Sequence, residues 1–246
     1  MSNLKNMRVV ITGASSGFGS VTAKLLVAQG CKVTLGARRE DRLEELVAEL
    51  GDSSTYEVTD VKKKDDLDKL VQKSIDTFDG VDAIINNAGI MPLSLISAGR
   101  TDEWDEMIDV NTKGVMNGIY AVMSDMKVRK SGTIVNMSSI AGRKVYEDHT
   151  VYCGTKYFVH AISESIRGYL SPHNVRVIVF SPGNIEAEVL NGITDPNTLA
   201  AYKANIERIG GRISPDYVAK MILFAYEMPQ NVIMQEVVVT PTKQDY

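Results

Sequence analysis

Seven short apolar runs punctuate the chain at 7–12, 32–37, 55–58, 81–86, 132–138, 175–180 and 235–240, most of them rich in Val, Ile or Thr. Between them, the stretches 17–29, 40–50, 63–77, 102–129, 151–170 and 215–227 repeat apolar residues every three or four positions, the period of an amphipathic helix. Strand and helix in alternation predict a parallel sheet with helices on both faces. Runs 9–11, 83–85 and 175–180 are apolar on both faces, as strands sandwiched between helix layers require. The rhythm fails over 184–213, where Gly, Asn and Asp gather around one short helix; this reads as a lid or substrate loop, or as a surface insertion. No linker, low-complexity block or repeat interrupts the chain, so 1–246 is expected to form a single domain.

Composition narrows this picture. A chain of 246 residues that is 44% hydrophobic fits one large α/β domain. Its net charge of -4 is spread over intermixed acids and bases, with no basic stripe for nucleic acid or a membrane, which favours a small-molecule partner. The first apolar run is too short for a signal-peptide core and no segment approaches 18 apolar residues, so a soluble, cytoplasmic protein is expected. Cys31 and Cys153 form no CxxC pattern and His149, His160 and His173 lack ligand spacing, so no metal site is expected.

The first candidate chemistry lies where strand 7–12 runs into TGASSGFGS and a helix follows. Gly13, Gly17 and Gly19 there would let backbone N–H groups and the positive end of the helix approach a pyrophosphate. The spacing is G-x-x-x-G-x-G rather than the G-x-G-x-x-G of the usual dinucleotide fingerprint. Ser15 and Ser16 would add hydroxyl donors or cap the helix, and Phe18 stands in the same turn. About 20 residues on, where NAD-binding sheets carry an acid for the ribose 2′-OH, the chain reads LGARRED. Arg38 and Arg39 would suit a 2′-phosphate, which predicts NADP; the alternative is that they only solvate a helix start, an end where cations are unfavourable.

The stretch VYCGTKYF places Tyr152 and Lys156 four apart, on one face of a helix. With ten tyrosines in the chain such a spacing arises by chance, and alone it carries little. A tyrosine that exchanges protons at neutral pH needs its pKa of about 10 lowered by roughly three units, about 4 kcal/mol. An ammonium about 4 Å away at an effective dielectric near 20 supplies energy of that order.

The ordered set TGASSGFG, NNAG (86–89), DVNTKG (109–114), NMSSIAG (136–142), YCGTK (152–156) and SPGNI (181–185) resembles the short-chain dehydrogenase/reductase family over essentially the whole chain. That resemblance implies a Rossmann-like, doubly wound, seven-stranded parallel sheet, and hydride exchange between NADP(H) and an alcohol or carbonyl compound. It implies Ser139, Tyr152 and Lys156 as the catalytic set, with Asn111 completing a proton relay, although an internally bonded amide is the alternative for Asn111. Of the adjacent serines, the family's interval of about a dozen residues favours Ser139 over Ser138. Lys156 would also hold the cofactor ribose. By the same resemblance Asp60 and Val61 line the adenine, Asn87, Ala88 and Gly89 the ribose, and Pro182, Gly183 and Ile185 the nicotinamide; NNAG is equally readable as a structural turn. Ala187 stands where the family often has threonine.

The substrate region would come from 90–97, 140–149 and 184–210, with Met91, Tyr146, Glu186, Glu188 and Leu190 as candidates beside Ser139 and Tyr152, and Arg143 as the one candidate carboxylate clamp. A narrower likeness to serine- and clavulanate-type dehydrogenases implies a small hydroxy acid or aldehyde. Family members pair through long helices such as 102–129 and 151–170, which implies a homodimer or homotetramer. Two rivals remain: a non-catalytic NADP(H)-sensing or scaffolding member, and a nucleotide-sugar epimerase, for which the carboxy-terminal region is small.

Overall fold

The expected alternation is realised in a computed structural model that describes residues 4–186, 192, 193 and 195–245. Strands β1 (Arg8–Thr12), β2 (Lys32–Ala37), β3 (Ser54–Val58), β4 (Ala83–Asn86), β5 (Gly132–Met137), β6 (Val175–Pro182) and β7 (Glu236–Val239) form one sheet in the order β3-β2-β1-β4-β5-β6-β7. Every pairing in it is parallel. Helices α1 (Gly17–Ala28), α2 (Glu40–Leu50), α3 (Lys64–Phe78), α4 (Thr101–Ile108), α5 (Gly114–Arg129), α6 (Thr150–Leu170), α7 (Pro196–Arg208) and α8 (Pro215–Glu227) complete the fold.

Alternation along the strands sorts the core into two layers. Val9 and Ile11 of β1, Ile85 of β4 and Ile178 and Phe180 of β6 pack with α1, α2 and α8 on one face. Val10, Ile84, Ile134 and Val177 point the other way, against α3, α5 and α6. Because successive side chains of a strand leave on opposite faces, strands covered on both sides are apolar at successive positions, as at Val9–Ile11, Ala83–Ile85 and Val177–Phe180, while the buried Arg176 of β6 is satisfied by Thr133 Oγ1 and the Ala225 and Met228 carbonyls. A polar thread crosses beneath the second layer: Asn86 Nδ2 donates to Asn136 Oδ1 (2.8 Å) and Asn136 Nδ2 to Ser163 Oγ (2.9 Å).

The region expected to be one helix over 102–129 is instead α4 and α5 joined by a π-helical turn, Asp109–Lys113. Gly114 and Gly118 explain why α5 lies so close to the sheet. A Cβ on Gly118 would stand 1.9 Å from Asn86 Oδ1, and one on Gly114 2.7 Å from a Val61 methyl. The extra residue of the π turn lets α4 follow its own apolar stripe, with Met107 buried.

Strand order reverses between β1 and β4, so their carboxyl ends diverge and leave a crevice, the place where open parallel sheets bind ligands. A cavity of about 820 Å³ opens there. The segments following β1 to β6 all reach it, joined by α7 and by Gln244 and Asp245 beyond β7.

Candidate active site

The first turn is built by hydrogen bonds between two strand ends. Thr12 Oγ1 accepts the N–H groups of Asn87 (3.0 Å) and Ala88 (3.1 Å), and Asn87 Nδ2 donates to the carbonyls of Thr12 (3.0 Å) and Gly13 (3.1 Å). NNAG is therefore a structural turn, and Asn87, Ala88 and Gly89 also line the cavity. Gly13 is required by its left-handed φ of 67° and by space, since a Cβ there would lie 2.8 Å from Ala88 Cα. Gly19 is buried, its missing Cβ leaving room for the Gly13 carbonyl; it acts by packing, whereas Gly17 and Phe18 line the cavity directly.

The two arginines after β2 do different things. Arg39 donates to Ser15 Oγ (3.0 Å) and Ser16 Oγ (2.8 Å), tying the second strand end to the first turn. Arg38 is 63% exposed and makes a loose ion pair, 3.6 Å, with Glu106 of α4, which also binds Lys62 at 2.8 Å. Asp60 and Val61 line the cavity after β3; the Asp60 carboxylate accepts the Lys62 N–H and the Val61 carbonyl accepts from Asn117.

At the far end of the crevice, α6 carries Tyr152 and Lys156 against the loop after β5. Lys156 is buried and its Nζ donates to the Met137 carbonyl at 3.0 Å. Desolvation lowers its pKa to about 8. Tyr152 is half-buried; burial raises its pKa, and only a hydrogen bond with Ser139 opposes that rise. The lysine nitrogen sits 5.6 Å from the centroid of the tyrosine ring. Among the protein's own groups, then, burial is the first cause acting on the phenol, and it makes the phenol a weaker acid.

The adjacent serines separate as expected. Ser138 Oγ donates to the Lys156 carbonyl (3.2 Å) and braces α6. Ser139 lies beside Tyr152, its Oγ donating to the Pro182 carbonyl at 3.4 Å and accepting the Ala141 N–H at 3.1 Å. Asn111 sits in the π turn with both side-chain ends used: Oδ1 accepts from Ile90 N, and Nδ2 donates to the Ile90 carbonyl and to Thr155. It meets Lys156 only across Gly89, whose absent Cβ would lie 3.4 Å from Asn111 Oδ1 and 3.7 Å from Lys156 Nζ.

Behind these groups Pro182, Gly183 and Ile185 form a wall whose support the sequence did not disclose. Gln244 from the chain's end accepts the Asn184 N–H through Oε1 at 2.9 Å, and Gly183 N–H donates to Val239. Tyr202 of α7 donates to Asn184 Oδ1 at 2.7 Å. These side chains come from positions 18 and 60 residues from Asn184, and only tertiary structure unites them.

The substrate end agrees in part with expectation. Met91 and Tyr146 line the cavity, and Met91 packs with Leu93 and Ile193 into an apolar wall. Glu186 is exposed and outside the lining; its backbone N–H bonds to Ile213. Arg143 is no clamp: it pairs with Glu236 of β7 and lies outside the lining, because the turn after β5 directs it along the sheet edge. Ala187, Glu188 and Leu190 lie outside the described residues. His149 and Tyr202 fall within the expected ranges 140–149 and 184–210 without having been singled out there; both line the cavity, and their rings stack at 5.9 Å with an interplanar angle of 29°. Among the described residues no helix is long and apolar enough to cross a membrane.

Comparison with known proteins gives this geometry a context. Residues 7–198 match the family model described as short chain dehydrogenase. An uncharacterised oxidoreductase of Staphylococcus saprophyticus is 42% identical, and one of Listeria monocytogenes 41%, each over 99% of both chains. Among solved structures, the closed form of a serine dehydrogenase complexed with NADP+ is similar with a TM-score of 0.90 and 30% identity, over 98% of this chain and 97% of that one. The serine dehydrogenase of Escherichia coli gives 0.83 and 28%, over 98% and 100%.

Proposed function

Since this chain belongs to the short-chain dehydrogenase family of oxidoreductases, we propose that it interconverts a small alcohol or hydroxy acid and its carbonyl form with NADP(H), Tyr152 exchanging the proton. One observation carries the reading: a single cavity joins a glycine-lined turn and two arginines at one end to Ser139, Tyr152 and Lys156 at the other. The residues present fit the cofactor. At Gly13 the turn is too close to Ala88 for any side chain, so backbone faces the space where a pyrophosphate would lie. Arg38 and Arg39 would hold a 2′-phosphate, Asp60 and Val61 the adenine, Asn87 to Gly89 and Lys156 the ribose, and Pro182, Gly183 and Ile185 the nicotinamide. The NADP+ in the similar serine dehydrogenase supports this choice.

When bound, the cofactor supplies or accepts the hydride. The protein's own groups manage the proton and the orientation. Ser139 hydrogen-bonds the reacting oxygen and so fixes it beside Tyr152. The phenol, protonated at neutral pH and made a weaker acid by burial, donates to that oxygen during carbonyl reduction. As charge shifts onto the phenol oxygen, Lys156 stabilises it electrostatically. Asn111 keeps the Ile90 turn, and with it Gly89, in place against Lys156.

Assembly into a homodimer or homotetramer belongs to the same proposal, supported by Tyr120 of α5 and Tyr169 of α6, which are more than half exposed. The test of the activity is a panel of hydroxy acids, alcohols, aldehydes and ketones followed by NADPH absorbance. Tyr152→Phe should abolish turnover nearly completely and leave NADPH affinity within about twofold. Binding without turnover by the unaltered protein would favour the sensing alternative instead.

A further inference from the structure

Glu106 of α4 joins two cations beside the cavity, and it holds them unequally. Its Oε2 pairs with Lys62 Nζ at 2.8 Å, a hydrogen-bonded ion pair, whereas Oε1 stands 3.6 Å from Arg38 Nη1, beyond hydrogen-bonding range. The fold fixes this carboxylate in place. Met107, the next residue, is buried in the core, so α4 cannot turn Glu106 away from the segments that follow β2 and β3. Lys62 is anchored as well, its backbone N–H donating to Asp60 Oδ1 at 3.1 Å. Its ammonium is held above the usual lysine range, first by the hydrogen bond to Glu106 and then by the charges of Glu106 and Asp60, against burial and the nearby Arg38.

Arg38 is placed differently. It lines the cavity, is mostly exposed and makes no hydrogen bond to a described residue, so its guanidinium keeps its donors for a ligand; those of Arg39 are spent on Ser15 and Ser16. A phosphate monoester, with a charge of about -1.5 to -2, suits such a fork bidentately and is repelled by a carboxylate on the same guanidinium. Glu106 is therefore the competitor of a phosphate at Arg38. Its tight pair with Lys62 half-neutralises it and keeps it from closing on the guanidinium. A nucleotide with a plain 2′-hydroxyl has nothing to lose to that competition. We propose that Lys62 is a positioning residue for the 2′-phosphate: it holds the Glu106 carboxylate off Arg38, and the three residues together set the preference between the two nucleotides.

This rests on the NADP reading above, and the test separates the two. The readout is the Kd of NADPH and of NADH, by fluorescence titration, for the whole protein and its variants. Glu106→Gln should bind NADPH about three- to fivefold more tightly, the size of one exposed ion pair, and NADH within about twofold of the unaltered protein. Asp105→Asn removes the same charge from the exposed neighbouring position of α4 and should leave both affinities unchanged. Lys62→Gln should weaken NADPH by about three- to fivefold and spare NADH, because Glu106 is then free to take Arg38. The decisive variant combines Lys62→Gln with Glu106→Gln: with the competitor gone as well, NADPH affinity should return to the unaltered value. A double variant as weak as Lys62→Gln alone would show that Lys62 meets the phosphate itself and overturn the positioning role. So would a Glu106→Gln protein with unchanged NADPH affinity, with NADH tightened equally, or with a gain that Asp105→Asn reproduces. Each of these results is read in a protein that prefers NADPH; an unaltered protein that binds NADH equally well would overturn the NADP reading, and this role with it.

Discussion

Burial moves Lys156 down to about 8 and Tyr152 up, so the groups best suited to exchange a proton and stabilise its charge are also costly to keep in the fold. For Lys156 the sign is definite. Its folded pKa lies below the ordinary 10.5, so the destabilisation is complete below about pH 8 and fades as pH rises towards 10.5, where folded and unfolded chains are both neutral. A fall of this size corresponds to about 3 kcal/mol, part of it offset by the bond to Met137. Lys156→Met should therefore stabilise the protein by about 1–3 kcal/mol at pH 7, with an advantage that shrinks by pH 10, while abolishing turnover. Urea unfolding at the two pH values checks this; a Lys156→Met protein less stable at pH 7 would show that the buried ammonium is compensated. At this scale the sequence names candidates but not their environment. Spacing and family resemblance single out Tyr152, Lys156 and Ser139, which the fold brings to one cavity, but the direction of the phenol's shift depends on how much water reaches it. His149 stood in plain view as one of three histidines, yet its stacked position in the cavity wall depends on Tyr202, 53 residues away in the chain.

Elements explain why some residues were legible and others not. Strands β1, β4, β5 and β6 were readable because a two-sided core demands apolar residues at successive positions, and the shortness and β-branched content of these runs separate them from a buried helix. The π turn was not readable, since its one extra residue leaves the helical period nearly unchanged on either side. Its consequence is local and large. A residue in an α-helix turns about 100° from its neighbour, so removing one from Asp109–Lys113 must rotate either α4 or Asn111. Gly114 and Gly118 lock α5 against Val61 and Asn86, so α5 cannot adjust. Deleting Thr112 should thus either lift Asn111 from Ile90 or turn Met107 out of the core. The expected result is a fall in turnover of at least about tenfold with helix content by circular dichroism unchanged. Full turnover in that deletion would show that the π turn is incidental to the site. The loop region 184–213 behaves in the opposite way: its lack of periodicity marked it correctly as an excursion, but nothing local says that α7 would return Tyr202 to Asn184.

At the scale of the whole molecule, the cavity runs from Arg38, after β2, to Tyr202 of α7, so a ligand that fills it touches segments from across the sheet and makes global stability a readout of site chemistry. Anything that binds the folded chain alone stabilises it, by about 2.7 kcal/mol at a hundred times its Kd. In a domain of this size 1 kcal/mol is worth roughly 2–4 °C in Tm. NADPH at saturation should accordingly raise Tm by several degrees, and by more than NADH at equal concentration. The two arginines then predict different failures. Among the described residues Arg38 has only the loose pair with Glu106 to lose, so Arg38→Asp should remove most of the NADPH advantage, about tenfold or more in affinity, and spare NADH. Arg39 organises Ser15 and Ser16, so Arg39→Ala should weaken both cofactors together. Thermal shifts with each nucleotide, backed by Kd values from fluorescence titration, distinguish these patterns. If Arg38→Asp leaves the ratio of the two affinities unchanged, the 2′-phosphate is not read after β2, and the Lys62–Glu106 pair beside it becomes the next place to test.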